Sequence, residues 1–160
     1  MDLFEHGEDA EKIVEEDFQE RNYKYKKPKD IEENLKQGDL IYHDLLGDFP
    51  IEVKRRSVKK TDGFYIALSE NCIEEFRGSV LVAINNDDSG KPTLNGSWAL
   101  NWFALRKYAK KMAEKNLETL PSGDKGVYIP VHDTNYPFKS KLPYEEWVKK
   151  VRGEIPIIKK

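Results

Sequence analysis

The spacing of apolar positions along this chain changes several times, and each change marks an element. From Glu8 to Arg21, Ala10, Ile13, Val14 and Phe18 recur at helical spacing with Asp17 among them, while Glu15, Glu16 and Glu20 lie outside the stripe. That pattern predicts an amphipathic helix over 8–21. Residues 22–26 predict a short strand, and 27–37, holding Pro28, Ile31 and Leu35, a loop or a short helix. Two partly alternating segments follow, Gln37–His43 and Phe49–Arg56, flanking a break that holds Asp44, Gly47 and Asp48; they predict a β-hairpin. Phe64–Leu68 fits either a strand or the entry to the next helix. Ser69–Phe76 reads as a helix with Ser69 as N-cap and Gly78 as its stop. The unbroken apolar run Val80–Ile84 predicts a strand buried on both faces. A helix between the hairpin and such a strand implies a crossover and parallel pairing.

Beyond an Asx- and Gly-rich turn at 85–90, Trp98, Trp102, Leu105, Ala109 and Met112 keep helical spacing, so the longest helix is expected to open at Ser97. Arg106, Lys107, Lys110, Lys111 and Lys115 cover much of its remaining surface. That surface is either a solvated basic face or, with Trp98, Trp102, Phe103 and Tyr108, a face for nucleic acid or a dimer contact. Residues 119–126 predict a loop, and Gly126–Val131 a strand near a sheet edge because of Pro130. His132 and Asp133 read as a loop pair rather than a metal pair. Pro143–Val151 predicts a last helix with Trp147, Val148 and Val151 inward. This order of elements is that of an α/β domain with a mixed central sheet flanked by helices, and 160 residues suit one such domain.

A formal net charge of −2 argues against coating nucleic acid by bulk charge, so the distribution carries more information. Residues 2–20 hold nine acids against one Lys. Lys54, Arg55, Arg56, Lys59 and Lys60 form a dense basic run, and Lys24, Lys26, Lys27 and Lys29 a second cluster upstream. One cysteine, Cys72, excludes an internal disulfide and a Cys-rich metal cluster; on a helix beside Ile73 it reads as a small buried hydrophobe. There is no Gly-rich phosphate loop, no G-x-S-x-G and no H-E-x-x-H, which counts against the common NTPase, hydrolase and zincin readings. No basic-then-apolar leader opens the sequence and no run approaches the length of a membrane span, so a cytoplasmic protein without a membrane partner is expected.

The chemistry concentrates in the hairpin. In its second strand the period of two puts Ile51 and Val53 on one face and Glu52 and Lys54 on the other, while Asp39 heads the partner strand. Two carboxylates and an amine converging at one end of a hairpin suit a hard divalent cation and its bound water. Asp39, twelve intervening residues and then Glu52-Val53-Lys54 resembles the active-site motif of the PD-(D/E)XK nuclease superfamily. Gly7-Glu8-Asp9-Ala10-Glu11, followed by Ile13, Val14 and Phe18, is similar to the first helix of archaeal Holliday-junction resolvases, where a Glu matching Glu11 joins the metal site. The resemblance covers residues 7–85, and it departs from the family pattern in having Gly38 rather than Pro before Asp39.

The resemblance implies a restriction-endonuclease-like core over about 7–85, elaborated by 97–153. It implies a Mg²⁺- or Mn²⁺-dependent deoxyribonuclease in which Asp39, Glu52, the Val53 carbonyl and Glu11 hold the ion and Lys54 orients the attacking water. Arg55, Arg56, Lys59, Lys60, Lys26 and Lys27 would then lie along the DNA backbone. A structure-selective, junction-resolving enzyme of this kind is expected to be a homodimer, because a two-fold substrate calls for a two-fold protein. The alternative is a non-catalytic nucleic-acid-binding or scaffold protein in which Glu52 and Lys54 form an ordinary ion pair.

Overall fold

The computed structural model describes residues 3–28, 38–44 and 47–151, the side chains of 3–7, 44, 47 and 151 excepted. Most of the segment expected as a loop or short helix (29–37) lies outside the described residues, as does the centre of the hairpin turn at 45–46. The elements are α1 Leu3–Glu20, β1 Lys24–Lys26, β2 Leu40–Asp44, β3 Gly47–Arg55, β4 Tyr65–Ser69, α2 Glu70–Glu75, β5 Val80–Asn86, β6 Pro92–Asn101, α3 Trp102–Lys115, β7 Glu118–Thr119, β8 Lys125–Pro130, β9 Leu142–Pro143 and α4 Tyr144–Val151. Six strands make a central sheet in the order β1-β2-β3-β5-β6-β9, and β4-β8-β7 make a smaller one. The central sheet is mixed: β3 and β5 run parallel, joined by the crossover through β4 and α2, and its other pairs are antiparallel.

The continuous apolar run of β5 is buried because both faces of the sheet are covered. Val82 and Ile84 face a core built with Ala10, Val14 and Phe18 of α1 and Tyr144, Trp147 and Val148 of α4. Leu81 and Ala83 face the opposite core, where Ile66 and Leu68 of β4, Cys72 and Ile73 of α2, and Trp102, Leu105 and Ala109 of α3 meet. Helices therefore flank the sheet on both sides, as the pattern required. Phe18 is fully enclosed, so truncating it to Ala should cost about 3–5 kcal/mol. Polar ties hold α1 to α4 as well. Asp17 accepts hydrogen bonds from Arg21 Nε and the Tyr144 hydroxyl, both at 2.8 Å, and the Tyr23 hydroxyl donates to the Val148 carbonyl at 3.0 Å.

Three local expectations are corrected. Ser97 to Asn101 is the end of strand β6, and the helix begins at Trp102. The Asn101 side chain caps it by accepting from Ala104 N at 3.1 Å, while Ala99 pairs with Val82 across the sheet. Trp98 and Trp102 keep helical spacing by coincidence across a strand–helix junction. Secondly, the strand ending in Pro130 is the middle of the small sheet, not an edge. Strand β7 reaches only Lys125 and Gly126 of β8, so among the described residues no strand on that side pairs with Pro130. Thirdly, α2 closes at Phe76, two residues before Gly78. Its start is as expected, with Ser69 Oγ accepting from Cys72 N at 3.2 Å. The open choice at 64–68 resolves as a strand, in the small sheet rather than the large one.

Candidate active site

The hairpin register leaves β3 longer than its partner. Leu40 stands opposite Ile51, where β2 begins, yet β3 continues to Arg55, paired there with β5. The sheet is notched beside Val53, and Asp39 fills the notch. Its backbone N–H donates to the Ile51 carbonyl at 2.9 Å, and its Oδ2 accepts the Val53 N–H at 2.8 Å. The N–H and C=O of one strand residue point to the same side, so the Val53 carbonyl opens toward the notch as well.

Alternation along β3 then distributes the remaining groups. Val53 packs in the α1 core, so Glu52 and Lys54 project to the opposite face, toward α2. Glu52 is buried; Lys54 Nζ lies 3.2 Å from its Oε2, and the Cys72 thiol donates to the same oxygen at 3.7 Å. Glu11, half-buried on α1, approaches from the first face, close enough to Asp39 for the two carboxyls to share a proton. The helix edge on which the hydrophobic stripe placed Glu11 therefore does face inward.

Crowded acids in a dry place hold their protons. Burial, then the charge of Asp39 and the shared hydrogen bond, and last the charge of Glu52, push Glu11 from 4.5 up to about 8, against the pull of Lys27. Burial and Asp39 push Glu52 from 4.5 to about 7, against Lys54 and Cys72. Burial opposes the Lys54 ammonium, but Glu52 and Asp39 outweigh it and raise its pKa, so it stays charged. Burial, then Glu52, raises that of Cys72, so the thiol stays a thiol.

No group of three or more His, Cys, Asp or Glu among the described residues is arranged as a ready-made metal cage. The donor chemistry nonetheless fits one class of ion. The oxygens available are the carboxylates of Asp39, Glu52 and Glu11 and the carbonyl of Val53, an all-oxygen set for a hard cation. Mg²⁺ and Mn²⁺ sites of this type use one or two carboxylates and complete the shell with water and substrate oxygens. A cation would also relieve the repulsion that raises Glu11 and Glu52.

The basic residues expected along a substrate are less uniform. Arg55 Nε donates to Asn86 Oδ1 at 2.7 Å and its guanidinium also reaches the Gly90 carbonyl. Arg56 donates to Asn85 Oδ1 at 3.0 Å and the Gly63 carbonyl at 3.1 Å, and stacks on Phe64. Both brace the protein's own turns. Lys26 pairs with Asp48 at 3.4 Å, Lys27 with Glu15 at 3.0 Å, and Lys60 lies over the Tyr65 ring. Lys59 is exposed. His132 accepts the Phe64 N–H at 3.1 Å. Two features were missed from sequence: the contact of Cys72 with Glu52, and a groove of about 290 Å³ that begins at Lys54 and is closed by the loop after β7. The period of α2 places Cys72 inward but cannot say that a carboxylate lies there. No family model matches the chain, and no curated protein or solved structure does either.

Proposed function

We propose that the protein is a Mg²⁺- or Mn²⁺-dependent DNA endonuclease with a restriction-endonuclease-like core. The observation that carries this reading is the crowding of Glu11, Asp39 and Glu52 around one notch in the sheet, with a charged lysine held against the innermost of them. Asp39 and Glu52 would hold the ion, with the Val53 carbonyl and Glu11 completing its surroundings. When bound, the ion lowers the pKa of a coordinated water and offsets charge that builds on the phosphate. The protein supplies the rest. Asp39 is fixed by the Val53 N–H. Glu52 orients Lys54, whose ammonium donates to the attacking water and stabilises negative charge as the P–O bond breaks. Burial of Glu52 keeps bulk water from screening these charges.

The test is cleavage of labelled DNA by the purified chain. Asp39→Ala and Glu52→Ala should each abolish activity; cleavage that survives either substitution, or excess chelator, rules the reading out. The resemblance of α1 to junction resolvases adds the proposal of a structure-selective homodimer, tested by comparing four-way junctions, flaps and duplex and by sedimentation. A second reading draws on the direct Glu52–Lys54 pair at 3.2 Å, which an inert scaffold would also contain. That reading requires DNA binding without cleavage and no thermal shift with Mn²⁺.

A further inference from the structure

A groove lined by Lys54 lies between the segment 54–59, β4 and the loop joining β7 to β8. Its two walls differ in chemistry. On β4, Ile66 and Leu68 turn into the core, so Ala67 faces the groove, and Leu120 and Pro121 close the apolar side from across it. Lys54, beside Glu52, and Lys59 both line the groove, and Asp124 stands on the loop wall. The loop wall is preformed: Leu120 N donates to Asp124 O and Gly123 N to Leu120 O, both at 2.8 Å, with Gly123 at a φ of +95°.

At about 290 Å³ the space lies just below the ~300–1,000 Å³ typical of small-ligand sites. A duplex does not enter such a groove; one nucleotide does. An apolar slot accepts the face of a base, the lysines accept its phosphate, and a carboxylate repels phosphate but accepts a hydrogen bond from an exocyclic amino group. We infer that the groove binds a single unpaired nucleotide of the strand being cut, its base between Ala67 and Leu120 with its edge toward Asp124, and its phosphate toward Lys54 and Lys59. Because Lys54 also touches Glu52, the nucleotide's sugar–phosphate link is led to the notch. This rests on the nuclease reading and narrows its substrate to DNA with an unpaired nucleotide next to the scissile bond, such as a flap, a frayed end or a single strand.

The experiment separates binding from cleavage. In chelator, the full chain is titrated into a short oligodeoxynucleotide carrying 2-aminopurine, either single-stranded or annealed to its complement. The single strand should bind at least about tenfold tighter than the duplex, within what burying one base contributes, with a change in 2-aminopurine emission. Ser122→Trp, on the exposed loop wall, should fill the slot and remove that preference. Asp124→Ala should keep the fold and reduce discrimination between cytosine and thymine at the bound position. Equal affinity for single strand and duplex overturns the inference, as does undiminished single-strand binding by Ser122→Trp with a native circular dichroism spectrum. Metal-dependent cleavage of fully paired duplex alongside either result would leave the nuclease reading standing and sink only the groove. Single-strand binding that Ser122→Trp abolishes, with no cleavage in Mg²⁺ or Mn²⁺, would keep the groove and sink the nuclease.

Discussion

Substituting Glu11→Gln tests whether the acids at the notch repel one another. Glutamine keeps the shape and can donate a hydrogen bond to Asp39 without a shared proton. In the wild type, Glu11 titrates at about 8 in the folded chain against 4.5 in an ordinary one. Between those values the folded state holds more protons than the unfolded state, so stability falls as pH rises through that window. Below 4.5 the contribution is complete; above about 8 it is gone. At about 1.4 kcal/mol per pK unit the ceiling is ~5 kcal/mol. Solvent reaches the half-buried side chain, and screening reduces this to about 2 kcal/mol. For a chain of this size that is about 4–8 °C in Tm.

The assay is thermal unfolding in chelator from pH 5 to 9. Wild type should lose several degrees across the range. Glu11→Gln should fall less, melting about 4–8 °C above wild type at pH 9 and matching it near pH 5. Saturating Mn²⁺ at pH 8 should restore the wild type, by roughly 2.7 kcal/mol at a hundredfold excess over Kd, and help the variant less. Parallel pH curves for the two proteins would refute the claim that Glu11 and Asp39 share one electrostatic site.

Other substitutions probe how the site is held. Cys72→Ala removes a donor that lowers the Glu52 pKa, so the acidic limb of the pH–activity profile should move upward, and Cys72→Ser should restore it. Ser69→Ala removes the N-cap of α2; about 1 kcal/mol of stability should go, with the metal-dependent shift retained. Gly38→Ala places a Cβ 2.5 Å from the Ile51 carbonyl oxygen at a φ of +79°. It should displace the start of β2 and lose the Mn²⁺-induced thermal shift while the far core still folds, as judged by near-ultraviolet circular dichroism.

Where the sequence was legible, one physical signal was in charge. A period of two put Glu52 and Lys54 together and Val53 opposite, and the structure keeps that division. An uninterrupted apolar run gave β5 its place between two covered faces, hence the parallel pair with β3. Legibility failed where two elements abut. Trp98 belongs to a strand and Trp102 to a helix, and side-chain spacing is blind to the Asn101 cap between them. It failed again for the small sheet, because β4 and β8 pair across some sixty residues and nothing local encodes that partner. The fates of Arg55 and Arg56 were hidden for a related reason. A basic run signals affinity for phosphate and is silent on the hydrogen bonds that Arg55 and Arg56 make with Asn85, Asn86 and two backbone carbonyls.

The departure at Gly38 ties the two halves of the chain together. Proline is locked near a φ of −65° and could not adopt the +79° with which Gly38 enters β2. A Cβ there would also meet the Phe76 ring at 2.8 Å, and one at Gly78 would meet the same ring at 2.4 Å. Phe76 is thus seated between two glycines, and it is held from behind by Trp102, whose ring lies 5.3 Å away and whose Nε1 donates to the Phe76 carbonyl at 3.2 Å. The order of contact runs from Trp102 on α3, through Phe76, to Gly38 and the adjoining Asp39. Residues beyond 85, which the D…ExK motif does not reach, therefore set where its first carboxylate stands. A short motif can name the side chains of such a site, but their spacing in space is fixed by a ring packed against a glycine from a segment the motif never includes.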